Sequence, residues 1–309
     1  MTKTFILVLA FASFGFAQLR IPVAGYTVNS ASTEVRPILG APGAALIGDP
    51  IALPQGASSL VLSPNQQFAI LTGDRLAVAP LGPDGFGDPA FLAGAVSNPD
   101  RVEFSNGGSA AVLYSASLGK IQTVAGLPNA ARVSAEFAFH DELAALAVND
   151  DASAVLAAKS DGGVLLLSSE RPIRLLVSGN SIASLQFLTN TQALAVDPPR
   201  NQLLLLGGLA GNPSVRILAD ASTGIDDPGG LQITADHRRA LLANSGAGNL
   251  LSVDLETSEV VSVECAFRPV AVRPLLKSGA YLVTDDPGRN VWMFDSGASR
   301  VLYVPARDR

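Results

Sequence analysis

Cysteine occurs once in 309 residues, at Cys265, so no intramolecular disulfide can form. Histidine occurs only at His140 and His237, too few for a zinc site, which needs three or four converging ligands. Aromatic residues are 6% of the chain and Trp292 is the sole tryptophan, which argues against glycan recognition by stacking. Twenty-one Lys and Arg stand against 27 Asp and Glu, for a net charge of −6, and no basic cluster appears. Nucleic acid is thereby excluded as a partner, because phosphate recognition needs clustered cations. Cys265 lies in Val263-Glu264-Cys265-Ala266-Phe267, where it reads as a small buried side chain and not a reactive thiol.

The longest apolar run is at the N-terminus. Behind Lys3, residues 5–17 carry no charge, and Gly15 and Ala17 put small side chains at −3 and −1 of a cleavage site before Gln18. Spanning a bilayer takes about 20 apolar residues, so the run is expected to be a secretory signal and not a membrane span. No cysteine follows it to carry a lipid. Residues 18–309 are then expected to form one exported domain, extracellular or periplasmic, large enough to bury a core without disulfides or metals.

What fills that domain is a repeat. Six segments open a short apolar run on alanine, at Ala69, Ala111, Ala154, Ala193, Ala240 and Ala280, with spacings of 42, 43, 39, 47 and 40 residues. A second apolar run follows each, as in Ile121-Gln122-Thr123 or Leu250-Leu251-Ser252. Gly, Asn, Asp and Pro dominate the segments between, which suits tight hairpins needing positive or pre-set φ. Another run precedes each alanine, such as Ser59-Leu60-Val61-Leu62, and a fourth follows, such as Val260-Val261-Ser262-Val263. Four short strands per unit of about 40 residues is the size of one propeller blade. Only residues 141–159 have the composition of a helix, and the in-register breakers of the other copies override that propensity.

The expected fold is therefore all-β, a β-propeller of four-stranded antiparallel blades, with residues 58–306 as six full repeats and 18–57 as an N-terminal ring-closing segment. Val23 to Val28 and Glu34 to Leu39 look like the outer two strands of an incomplete blade. The 292 residues after the signal, at about 41 per unit, favour seven blades over six. Ala240 to Thr257, with its apolar strand, Asn-led turn and Ser252-Val253-Asp254-Leu255, resembles the YVTN-type and quinoprotein-like propeller repeats. No copy holds the full signature tetrad or a Trp-Asp pair, so the resemblance implies a fold and no activity.

Strand alternation sends the turns between second and third strands, and the connections between blades, to one face. Asp74, Asp161, Asp197, Asp226, Asp227, Asp285 and Asp286 are expected on that rim, and Asp-Asp-Pro-Gly occurs twice there, at 226–229 and 285–288. Such oxygens suit Ca²⁺ as a candidate cation, while Asp and Pro-Gly are also ordinary turn formers. Two functions follow. The first is a monomeric, non-enzymatic binding propeller with no cofactor, offering one face to a protein partner or small ligand. The second is a hydrolase of lactonase type, or an oxidoreductase, with Asp161, Asp197 and Asp285 holding a divalent ion.

Overall fold

The computed structural model describes residues 21–29, 31–276, 279–285 and 290–306. The expected signal at 1–17 and Asp286 lie outside them.

Turn chemistry sets each hairpin. Between the first and second strands, a Ser, Asn or Thr side chain accepts from the backbone N–H that opens the second strand. Ser105 Oγ takes Ala110 N–H at 3.1 Å, Asn149 Oδ1 takes Ala154 at 3.0 Å, and Thr234 Oγ1 takes Arg239 at 3.0 Å. Three residues after the capping residue the backbone turns left-handed, at Ala152 (φ 61°) and His237 (φ 57°), and likewise at Gln66 (φ 53°) after Ser63. The helix-rich composition of 141–159 yields two strands, Leu143–Val148 and Ala154–Lys159, because ladder pairing outweighs propensity.

Seven antiparallel sheets result, at residues 23–47, 57–91, 101–138, 143–177, 184–219, 228–264 and 269–304, here blades 1 to 7 of a β-propeller. No α-helix occurs among the described residues. Blades 3 to 7 have four strands each. In blade 2 the outer place is shared by Gly85–Phe86 and Ala90–Phe91, both paired to Ala77–Gly82. Blade 1 has three strands, Val23–Val28, Val35–Leu39 and Leu46–Ile47. Its open edge receives the C-terminal segment. Ile47 bridges Ala306 in parallel and donates its N–H to Pro305 O at 2.9 Å.

The expectation that Val23 to Val28 forms an outer strand is corrected. It is the innermost strand of blade 1, with Tyr26 and Val28 lining the central channel. The segment lacks the repeat's alanine, which hid its place. A smaller correction concerns register. Ala69, Ala111 and Ala240 stand opposite the last residue of the inner strand, but Val155, Gln192 and Tyr281 hold that place in blades 4, 5 and 7, with Ala193 one residue after it. Ala154 and Ala280 each lie one residue earlier.

The core is divided among the interfaces between blades. Seven hydrophobic clusters lie among the described residues, one for each neighbouring pair. Leu60 and Tyr26 join blades 1 and 2, while Ile38, Leu282, Met293 and Val304 join blade 7 back to blade 1. Fully buried alanines such as Ala69, Ala111, Ala195 and Ala243 let the sheets approach closely, which accounts for an apolar chain with few aromatics.

Candidate functional site: the upper rim and the central channel

Buried polar side chains at the end of the second strand hold the upper face together in four blades. Ser115, Asp197, Asn244 and Asp285 occupy equivalent places in blades 3, 5, 6 and 7, and all four are buried. Asn244 accepts Asp226 N–H at 2.7 Å and donates to Gly224 O and Asn249 Oδ1. Asp197 takes Arg200 Nη1 at 2.8 Å and the Asn180 side-chain amide. Its second oxygen, Oδ1, is buried without a hydrogen-bond partner among the described residues. Asp285 accepts the backbone N–H of Asn290 at 3.2 Å and its side-chain amide at 2.6 Å. The place thus takes Ser, Asn or Asp alike, as a hydrogen-bonding staple for the adjoining loop.

The other described aspartates of the rim are exposed. Exposed Asp161 pairs with Lys159 at 3.2 Å, and Asp227 pairs with Arg268 at the start of blade 7. Asp226 and Asp74 are exposed on the blade 5 to 6 connection and a blade 2 turn. Among the described residues no three His, Cys, Asp or Glu side chains come together to hold a metal.

Cys265 is half-buried beside Phe267 and Trp292, and burial pushes its thiol up to about 11. At pH 8 it should therefore be almost wholly protonated and react slowly with a disulfide reagent such as DTNB, the rate climbing only as pH approaches that value. A rate at pH 8 equal to that of free cysteine would contradict this.

The inner strands enclose a cavity of about 660 Å³ along the propeller axis, lined by residues of all seven blades. Its wall is mixed. Val61, Ala147 and Val272 stand beside Gln186, Gln232 and Ser184, and among the described residues the only charged ones in the lining are Arg101, Glu103 and Arg273. None of these three was singled out in the sequence. Aligning the first run of every repeat by register would have exposed them, since the equivalent places elsewhere are small, apolar or amide side chains.

At the lower face the channel is crossed by side chains from opposite walls. Asn106, in the first turn of blade 3, accepts from Gln186 Nε2 at 3.2 Å and Gln232 Nε2 at 3.3 Å, on blades 5 and 6. Its own amide nitrogen lies 3.2 Å from His237 Nε2, in the matching turn of blade 6. His237 thus belongs to a bridge across the ring. Gln186 Oε1 also accepts Ile233 N–H at 2.7 Å, fixing the bridge to the blade 6 backbone.

No protein-family model matches the chain, and no curated protein does. Solved structures match the fold. A functionally unknown protein from Desulfotomaculum acetoxidans is 13% identical with a TM-score of 0.63, over 92% of this chain and 95% of that one. A chain of a nidogen–laminin complex is 14% identical with a TM-score of 0.55, over 77% of this chain and 92% of that one. The β-propeller domain of Cps50 (Swd1) from Myceliophteria thermophila is 15% identical with a TM-score of 0.52, over 64% and 65%. At such identity the likeness is one of fold alone.

Proposed function

We propose that this protein is an exported, non-enzymatic binding propeller that holds a small ligand in its central channel. The observation that carries this reading is the channel itself. Its volume of about 660 Å³ lies within the range of small-molecule sites, and its wall mixes apolar surface with a few placed polar groups. The inner strands are anchored in the sheets behind them, so the wall is pre-formed and binding needs little ordering. Export is supported by the charged and apolar pattern of residues 1–17, and YVTN-type affiliation by the pattern of residues 240–257. A monomer is proposed with them. No helix among the described residues is long and apolar enough to cross a membrane.

Thermal denaturation in the presence of millimolar sugars, amino acids and small carboxylates tests the reading. A ligand at 100 times its dissociation constant stabilises by about 2.7 kcal/mol, so at least one class should raise the Tm by several degrees. Ser184→Trp, which fills the channel from its half-buried wall position, should abolish the shift. Retention of the shift in that variant would place the ligand elsewhere. Calcium chloride alone should leave the Tm unchanged. A rise with calcium that vanishes in Asp227→Ala and Asp285→Ala would move the function to the acidic rim and the metal-dependent reading.

A further inference from the structure

Arg101 is out of keeping with its place in the fold. It stands on the inner strand of blade 3 opposite Tyr114, and the equivalent lining residues of blades 4 to 7 are Ala145, Ser184, Gly230 and Ala271. Four blades leave space at this level and one fills it with a guanidinium. Two bonds fix that group: Nε donates to Glu103 Oε1 at 3.0 Å and Nη1 donates to Ala144 O at 2.6 Å. Nη2 donates to no described residue. Arg273 lines the channel from blade 7, two residues further along the register, and has no hydrogen bond or ion pair among the described residues.

Blades 3 and 7 are as far apart as a ring of seven allows, so the two arginines line opposite walls of the channel. Two residues along a strand offset them axially by about 6.5 Å. With Glu103 the only acidic lining residue among the described residues, these side chains give the channel a net positive charge inside a chain of net charge −6. The bridge of Asn106, Gln186, Gln232 and His237 crosses the lower mouth, and Arg101 opens its strand at the upper end.

We infer that the channel takes a small carboxylate- or phosphate-bearing anion from the upper mouth, seated on Arg101 and reached from the far wall by Arg273. The inference rests on the reading of the channel as the binding site. A planar guanidinium with its plane already fixed presents the charged N–H groups of Nη2 to an oxyanion at little entropic cost, and strengthens as water is displaced. A cationic ligand would instead add to an uncompensated positive charge.

Isothermal titration of the full chain with succinate, inorganic phosphate, glucose and putrescine tests it. Succinate or phosphate should bind, more weakly at higher salt, and glucose and putrescine should not. Which of the two anions binds identifies the headgroup. Arg101→Gln should weaken that binding by about tenfold or more, and Arg101→Lys by less, since it keeps the charge and loses the fork. Arg216→Gln, on the exposed outer strand of blade 5, should leave it unchanged. Because Arg101→Gln leaves Glu103 unpaired, the double variant Arg101→Gln/Glu103→Gln provides a neutral channel wall to compare at matched Tm. Equal anion affinity in wild type and the double variant would overturn the inference. Binding of glucose but not of anions, blocked by Ser184→Trp, would overturn it while sparing the channel as the site. Binding of none of the four, with no shift from any ligand class, would remove both.

Discussion

Met293→Asp should abolish cooperative folding of the entire ring. Met293 is fully buried between blade 7 and blade 1, in the cluster with Ile38, Leu282 and Val304. The other six interfaces join blades consecutive in sequence, and this one joins the two ends of the chain. A carboxylate placed there has no cation in its cluster, so it either stays charged at a cost of several kcal/mol or is protonated at the cost of a cavity and an unpaired hydroxyl. Domain stability is about 5 to 15 kcal/mol, and a loss above about 4 kcal/mol at the closing interface consumes much of it. Urea denaturation followed by far-UV circular dichroism and Trp292 fluorescence should show a variant unfolded at 25 °C, or two separated transitions with the blade 7 signal first. Met293→Leu, close in volume, should cost less than about 1.5 kcal/mol. A single transition for Met293→Asp with a wild-type midpoint would mean that the ring does not depend on this closure.

The hairpins were legible because their turns are chemical statements. Gly, Asn, Asp and Pro at the breaks have few other uses, and six copies in near register outvoted the helical composition of residues 141–159. Blade 1 was misplaced because nothing local distinguishes an inner strand from an outer one. Only the neighbours decide, and the neighbour of Val23–Val28 across the ring closure is about 250 residues away, at Leu275. The burial of the rim aspartates was hidden for a related reason. Sequence puts Asp197 and Asp285 at a turn but does not say that they point inward, where Ser115 and Asn244 do the same work without charge. Arg101 was legible in principle, as the charged residue in a column of Ala, Ser and Gly. The register needed to draw that column comes from strand pairing, with one-residue slips at Ala154 and Ala280 and bulges between Pro228 and Leu231.

Gln66→Ala should be the costliest substitution of a surface-type residue in the chain. Tyr26 is an inner-strand residue whose N–H and C=O point away from the rest of its own sheet. Gln66 meets both, its Oε1 accepting Tyr26 N–H at 2.8 Å and its Nε2 donating to Tyr26 O at 3.0 Å. One amide side chain thus acts as a peptide from a missing strand, tying blade 2 to blade 1. Its loss leaves a buried donor and acceptor unpaired, at about 1 to 3 kcal/mol for each, so about 2 to 4 kcal/mol in all allowing for partial solvation from the channel. The left-handed φ of 53° at Gln66 adds strain that alanine retains and glycine does not. Wild type and Gln66→Ala share that strain, so Gln66→Ala reads the lost amide bonds alone, and any stability that Gln66→Gly regains over Gln66→Ala measures the strain glycine relieves. Gln67, the next residue, is exposed, and Gln67→Ala should change stability by less than about 0.5 kcal/mol. In the sequence these two glutamines are indistinguishable members of one turn. Equal denaturation midpoints for their alanine variants would show that the amide bridge to Tyr26 carries no weight.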